Sequence, residues 1–418
     1  MAIKLLRWAG IAALLWVAVH LKHPLLYRFR DLEMPFVLGF ACLGLWLARR
    51  GQGPEARLRQ VALAAVLAVA IGNQAWFLWQ KHEVLAATPP MQRIGAHFVV
   101  GFRDFDSVQT LAEKGLIGGI YLSRANLKGA SAEELRRRID ALQEARRQAG
   151  LPPLFVAADQ EGGSVSHLSP LVEAQPPLSS LAQAGPAETL PSRARRYGER
   201  QGKALAGLGV NMNLSPVVDL KPRANGNWPD LHTRIGDRAI SADPRVVSAV
   251  ATAYSGGLAK SGVQPTVKHF PGLGRVKGDT HLVKSRLDAS PAELAADWQP
   301  FREVTARTGA AMMLGHVTLP AIDPKHPASV SKAVVQGLLR EQWGYQGLLM
   351  TDDLNMGAVY ADGIDRAAIG ALDAGVDLLL VTYDPDQYYR AVYAAARAWR
   401  TGAIGTLREI DSAQRLSA

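Results

Sequence analysis

Gly347-Leu348-Leu349-Met350-Thr351-Asp352 is a short apolar run that ends on a carboxylate. Near-continuous apolar runs of four to eight residues are what parallel strands buried on both faces look like. An ionised Asp is costly to bury unpaired, so packing gives poor reason for one at the end of such a strand. Seven further runs of the same texture lie along the chain: His97–Phe102, Gly118–Ser123, Leu154–Asp159, Val210–Pro216, Pro265–Phe270, Ala310–His316 and Val376–Thr382. The intervals between them carry helix signals. Ser131 faces Glu134 in a capping box, and Leu135, Ile139, Leu142 and Ala145 then share one face. Ser290-Pro291-Ala292-Glu293 repeats that signature with proline at the first helical position, and Asp243-Pro244 opens a helix running to about Ser261. Eight βα units specify an α/β fold, a (β/α)8 TIM-type barrel. The structural competitor is a doubly wound open sheet, which usually has fewer strands. The polar interval 217–240, with Asn225, Gly226, Asn227 and Pro229, reads as an enlarged loop on the active face.

Composition narrows the rest. With 48% hydrophobic and 20% charged residues, the 418-residue chain is neither disordered nor collagen-like. A single cysteine, Cys42, excludes an internal disulfide framework and a multi-cysteine zinc site. Cys42 lies in an apolar stretch, where a thiol acts as a small buried hydrophobe. The net charge is +10, and residues 1–89, with ten Lys/Arg against four Asp/Glu, hold six of it. That excess sits beside apolar runs, which suits a membrane surface better than a nucleic-acid groove, and no nucleic-acid partner is expected.

Three apolar stretches precede the barrel: Leu5–Leu21, interrupted by Arg7 and His20, then Met34–Ala48 and Val61–Trp79. Crossing the hydrocarbon takes about 20 helical residues. Trp8, Trp46, Trp76 and Trp79 lie near the run ends, where indoles favour the interface. Lys4, Arg7, Arg49, Arg50, Arg57 and Arg59 outnumber Lys22, Arg28, Arg30 and Lys81, which places the N-terminus and the 49–60 loop in the cytoplasm. Residues 1–85 are therefore expected to be a membrane region of about three transmembrane helices. The chain would be a multi-pass protein of a bacterial cytoplasmic (inner) membrane, with residues 90–418 as a catalytic barrel facing the periplasm or outside.

Barrel enzymes place their reactive groups where strands end and βα loops begin. Those positions hold Asp159, Asp219, Lys268, His269, His316, Asp352 and Asp353. Paired carboxylates with Lys and His point to polar-ligand chemistry in a cleft and do not by themselves name it. A metal reading of Asp279, His281, His269 and His316 matches no compact ligand spacing, so neither a metal nor another cofactor is expected. Asp353 is the better candidate for a helix cap, Asp219 for a loop support, and His316 for a hydrogen-bonded residue at the barrel mouth. His97 and His326 read as structural, and Arg238 has Asp237 and Asp243 as nearby partners.

Four segments make the pattern specific. Ala158-Asp159-Gln160-Glu161-Gly162-Gly163 closes the third run, and Ile235-Gly236-Asp237-Arg238 follows the fourth. Val267-Lys268-His269-Phe270-Pro271-Gly272-Leu273-Gly274 leads into Gly278-Asp279-Thr280-His281, and Met350-Thr351-Asp352-Asp353-Leu354-Asn355-Met356-Gly357-Ala358 closes the seventh run. Together, in order from about Ile94 to about residue 400, they closely resemble family 3 glycoside hydrolases of the single-domain β-N-acetylglucosaminidase type. The resemblance implies Asp352 as nucleophile and His281 as acid/base held by Asp279. It also implies that Asp159, Arg238, Lys268 and His269 grip the hydroxyls of the terminal sugar. The implied activity is hydrolysis of terminal β-linked N-acetylglucosamine, from peptidoglycan fragments or related glycans, through a covalent glycosyl-Asp352 intermediate. An imidazole with an ordinary pKa near 6.5 suits a group that must give and then take a proton near neutrality. The sequence departs from the family at Ser164 and His167, where arginines are usual, and at Leu273, where His is usual. A phosphorylase of the same family and a catalytically silent glycan sensor stay open as alternatives.

Overall fold

The structure, a computed structural model, describes residues 2–183, 189–222, 233–405 and 415–416. Asn225, Gly226, Asn227 and Pro229 of the expected active-face loop lie outside the described residues. The chain divides into two compact units, Met1–Ala86 and Ala87–Ala418.

The second unit is a closed barrel of eight parallel strands. They are β1 (Phe98–Val100), β2 (Gly119–Leu122), β3 (Phe155–Ala158), β4 (Met212–Asn213), β5 (Gln264–Phe270), β6 (Ala311–Leu314), β7 (Leu349–Asp353) and β8 (Leu378–Val381). Each falls within, or within one residue of, one of the eight apolar runs. They pair in chain order around the ring, and β8 closes on β1 through Phe98↔Leu379 and Val100↔Val381. Closure leaves no sheet edge, which excludes the doubly wound alternative. The interior is filled rather than hollow: Val99, Tyr121, Ala157, Met212, Leu214, Met313, Met350, Leu378 and Leu380 pack together, and Leu416 lies against them. Helices Ala132–Gln148, Leu190–Gly207, Pro244–Ala259 and Ala295–Thr308 follow β2 to β5 in turn.

The local signals explain where helices start. Ser131 Oγ accepts the Glu134 N–H at 3.1 Å, and Leu135, Ile139 and Leu142 are buried on the face the periodicity marked. Asp243 caps Pro244–Ala259 by accepting the Arg245 N–H. The Ser290 signature behaves differently. Its reciprocal bonds form, with Glu293 Oε2 accepting from Ser290 N and Oγ at 2.8 and 2.7 Å. Regular helix nevertheless begins only at Ala295, after a turn that the box closes.

Regular strand pairing slips at two places that matter for the site. The register of β5 against β6 shifts between Val267 and Phe270, and that of β7 against β8 between Met350 and Asp353. Neighbours on a regular strand point to opposite faces, and such irregularities re-aim side chains. Lys268 with His269, and Asp352 with Asp353, are the pairs at those slips.

The first unit consists of α1 (Ala2–Val19), α2 (Glu33–Arg49) and α3 (Pro54–Leu85). The first and third are long and apolar enough to cross a membrane by length and composition. Within the bundle, Ala18, Val37, Ala41, Val66 and Ala70 are fully buried and pack with the buried Leu14, Leu21 and Leu63, so the helices meet through a mix of small and leucine side chains. Asn73 Nδ2 donates to the Ala18 carbonyl at 2.9 Å, and Arg30 pairs with Glu33 at 3.0 Å with both side chains almost wholly covered. Many large apolar residues face outward: Leu6, Trp16, Phe40, Trp46, Val61, Ile71 and Trp79 are all exposed. Cys42 is exposed too, on that outer surface, instead of filling the interior as its apolar context implied.

Candidate active site

The ends of β3, β5 and β7 carry the polar groups, as barrel geometry requires. Lys268 Nζ, almost fully buried, lies between two carboxylates: it donates to Asp159 Oδ1 and, at 2.7 Å, to Glu161 Oε1. Glu161 also receives Arg238 in fork geometry, Nε to Oε2 at 3.0 Å and Nη2 to Oε1 at 2.7 Å. Arg238 completes its set on the Thr233 carbonyl at 2.8 Å and reaches His269 Nε2 at 3.4 Å. Asp159, Arg238, Lys268 and His269, set apart in the sequence by as many as 110 residues, therefore form one connected cluster.

Charge balance follows from the contacts. Burial alone would raise the Asp159 carboxyl, but Lys268, with help from His167 and Tyr121, holds it well below the ordinary range. Burial likewise opposes ionised Glu161, and Arg238 and Lys268 overcome it. Lys268 is pushed up: burial disfavours its charge, while Asp159 and Glu161 favour it more. Tyr121 donates its hydroxyl to Asp159 Oδ2 at 2.8 Å and meets His167 Nδ1 at 2.9 Å. Asp159 keeps room for a further hydroxyl donor, since each carboxylate oxygen has two lone pairs.

His269 is aimed from behind. Fully buried Asp219 accepts its backbone N–H at 3.1 Å and its Nδ1 at 2.7 Å, and takes the Leu273 N–H at 2.7 Å. The proton therefore sits on Nδ1, and Nε2 faces Arg238 and the cleft. Asp219 supports this loop as the sequence indicated, and it also fixes the imidazole.

The two carboxylates ending β7 differ in occupation. Asp353 accepts from Asn355 N and Nδ2, both at 2.9 Å, from Thr382 Oγ1 at 2.6 Å and from Tyr383 N at 2.9 Å. It is a structural clasp between the loops after β7 and β8. Asp352 accepts one hydrogen bond among the described residues, from the Asp353 N–H at 2.8 Å. Burial would raise its carboxyl, but the imidazoles of His269, His316 and His281 and that N–H hold it below the ordinary value. A half-buried carboxylate held in its ionised form, with one hydrogen bond among the described residues, is a candidate nucleophile.

His281 reaches the same place from the loop beyond β5. Its Nδ1 faces Asp279 Oδ1 at 3.1 Å, and its backbone N–H donates to that oxygen at 2.9 Å. Asp279 is buried and also accepts from Thr233 Oγ1 at 3.2 Å. The loop is fastened to the β7 side: Gly357 N–H donates to the His281 carbonyl at 2.8 Å. A Cβ on Gly357 would lie 2.6 Å from the Leu282 carbonyl oxygen, so the close approach needs glycine there. Asp352 and His281 thus belong to one site. His316, buried, donates its Nε2–H to the Asp353 carbonyl at 3.0 Å and accepts from Ser329 Oγ at Nδ1, 2.8 Å away; burial holds its imidazole below the ordinary value, favouring the neutral form.

Three participants went unassigned in the sequence reading. Glu161 sits inside a quoted motif, and its flanking glycines were the available signal. Gly162 has φ +94°, and a Cβ there would meet the Tyr197 hydroxyl, which itself donates to the Pro176 carbonyl at 2.8 Å. That turn places Glu161 against Arg238, so neither Asp237 nor Asp243 is the arginine's partner. Tyr121 and Thr233 carried no local signal. His97 and His326 are structural, bonded to the Asp377 carbonyl at 2.7 Å and to Asp323 at 3.0 Å.

A closed parallel barrel whose mouth holds a half-buried carboxylate, an Asp–His pair and a buried cluster of two cations and two carboxylates fits a glycosidase-type site. Residues 91–416 match the model described as the glycosyl hydrolase family 3 N terminal domain, and the chain belongs to that family. Among curated relatives, a beta-hexosaminidase of Neisseria gonorrhoeae is 36% identical over 275 residues, 65% of this chain and 72% of that protein. Beta-hexosaminidase LpqI of Mycobacterium tuberculosis is 34% identical over 305 residues, 71% of this chain and 74% of that protein. Among solved structures, a family 3 β-N-acetylglucosaminidase from Paenibacillus superposes with TM-score 0.70 at 32% identity, covering 78% of this chain and 61% of that one. A family 3 glycosyl hydrolase from Mycobacterium smegmatis gives 0.68 at 31% identity, covering 80% and 97%. The chain is a glycosidase.

Proposed function

We propose that the protein is an exo-acting, retaining β-N-acetylhexosaminidase that releases terminal β-linked N-acetylglucosamine from peptidoglycan-derived or related glycans. The reading is supported by an ionised, sparsely hydrogen-bonded Asp352 at the end of β7 and by the Asp279–His281 dyad, whose loop is tied to the β7 side through the Gly357 N–H and the His281 carbonyl. Asp352 Oδ attacks the anomeric carbon as His281 Nε2 protonates the departing glycosidic oxygen, giving a glycosyl ester and a free aglycone. The imidazole then takes a proton from water, the water oxygen attacks the anomeric carbon, and the Asp352 carboxylate leaves. Asp279 fixes the Nδ1–H tautomer and supports the imidazolium as it forms, the part an Asp plays beside His in serine hydrolases. Lys268 and Arg238 donate to sugar hydroxyls, and Asp159 accepts from them. The hexosaminidase names of the relatives support the sugar assignment. On an aryl β-N-acetylglucosaminide, proton NMR is expected to show β-N-acetylglucosamine as the first product. An α-configured first product overturns the double-displacement mechanism, and turnover only with phosphate makes the protein a phosphorylase.

Residues 1–85 are proposed to be a three-helix membrane region, N-terminus in the cytoplasm and barrel outside the bacterial inner membrane. A bundle whose outer surface exposes Trp, Phe, Leu and Ile side chains, with alanines among its buried contacts, is suited to lipid. Protease added to intact spheroplasts is expected to release the barrel. Release only after the membrane is opened reverses the orientation.

A further inference from the structure

Among the described residues of 87–418, three large hydrophobic side chains are exposed: Leu282 at 56%, Val283 at 52% and Tyr383 at 48%. All three sit at the mouth of the barrel beside the candidate catalytic groups. Leu282 and Val283 directly follow His281. Their backbone N–H groups both donate to the Asp279 carbonyl at 3.0 Å, so a tight turn holds them outward from the Asp279–His281 dyad. Lys284 Nζ, next in the chain, pairs with Asp362 at 2.7 Å and pins the turn to the far side of the β7 loop. Tyr383 follows β8, and its N–H donates to Asp353 Oδ2 at 2.9 Å, one residue from Asp352.

Exposed apolar side chains are ordinary when scattered, but among the described residues of this barrel they belong to two segments, one hydrogen-bonded to Asp279 and the other to Asp353 at the end of β7. The groups proposed to hold the terminal sugar are all polar or charged and lie deeper, so the apolar rim has no work at that sugar. It lies where the leaving group must lie: the nitrogen that protonates the glycosidic oxygen belongs to His281, and the aglycone extends from that oxygen. Resting on the hexosaminidase reading, we infer that Leu282, Val283 and Tyr383 form an apolar aglycone subsite for β-N-acetylglucosaminides whose leaving group carries an alkyl or acyl chain. A lipid-linked glycan has that chemistry.

The test uses the full chain and a series of methyl, butyl and hexyl β-N-acetylglucosaminides. Complete burial of a methylene is worth about fourfold; a one-sided rim gives less. The hexyl-to-methyl ratio of kcat/KM is therefore expected to be on the order of tenfold. In the double variant Leu282→Ser with Val283→Ser, and separately in Tyr383→Ser, that ratio is expected to fall towards one. Using the ratio cancels any loss of activity common to all substrates. Calorimetric binding of the same glycosides to Asp352→Asn gives a readout that does not need turnover. Binding that tightens with chain length while no glycoside is turned over by the wild-type chain sinks the hydrolase reading and leaves the subsite standing. A flat chain-length dependence of both binding and turnover, or an unchanged ratio in the serine variants, overturns the subsite.

Discussion

Asp352→Asn is expected to keep the sugar and lose the reaction. Removing a covalent nucleophile costs about four to six orders of magnitude in turnover when the rest of the site stands. The fold gives little reason for that loss to come from misfolding. Asp352 accepts a single hydrogen bond among the described residues, from the Asp353 N–H, and an amide oxygen accepts it equally well. The burdened carboxylate is Asp353, whose hydrogen bonds clasp the loops after β7 and β8. Burial of Asp352 is offset by His269, His316 and His281. Its replacement by a neutral amide leaves no carboxylate stranded and takes one anion from among three imidazoles. The dissociation constant for N-acetylglucosamine is therefore expected to stay within several-fold of the wild-type value. Mass spectrometry of a rapidly quenched wild-type reaction should find the sugar on the peptide containing Asp352. Turnover by Asp352→Asn within about tenfold of wild type, or an adduct on another residue, removes Asp352 from the role.

The fold was legible because parallel strands covered on both faces leave a strong local mark. The eight runs needed no knowledge of their partners, and carboxylates at their ends marked the mouth of the barrel. The family segments added the Asp279–His281 dyad, which Asp-Thr-His alone does not distinguish from a solvated loop. What stayed hidden was partnership over distance. Arg238 has acidic neighbours one and five residues away, yet it binds Glu161, 77 residues back, because the Gln160–Ser166 hairpin folds that side chain across the cleft. Tyr121 reads as an ordinary β2 core residue, and only the pairing of β2 with β3, 38 residues on, brings its hydroxyl to Asp159. The capping box at Ser290 shows the opposite limit: the local bonds formed, and the helix still began later.

Lys268→Met is the substitution with the largest expected cost to the barrel itself. Methionine matches the length of the lysine stem, so the loss is of charge rather than volume. Asp159 is then left with the Tyr121 hydroxyl and Glu161 with Arg238, so the two carboxylates share one cation instead of two. Removing one member of a buried ionic cluster costs about 3–5 kcal/mol, because the remaining charges stay desolvated. The pH dependence follows from the direction of the shifts. Asp159 and Glu161 are held below their ordinary values in the folded wild-type protein. Their contribution is therefore complete above the unfolded carboxylate range, near pH 4, and is lost as pH falls through the folded values. Lys268 is raised, so its own contribution is complete below about pH 10 and is lost only as pH rises through its folded value. In Lys268→Met the sign reverses for Asp159: burial, without the opposing cation, raises its carboxyl, and protonation relieves the folded state. The deficit relative to wild type is thus expected to be largest near pH 7 and to shrink towards pH 4. Thermal unfolding of the barrel at a series of pH values reads both the size and the slope. A deficit below about 1 kcal/mol at neutral pH, or one that does not narrow in acid, is incompatible with Lys268 as the cation that keeps Asp159 and Glu161 ionised.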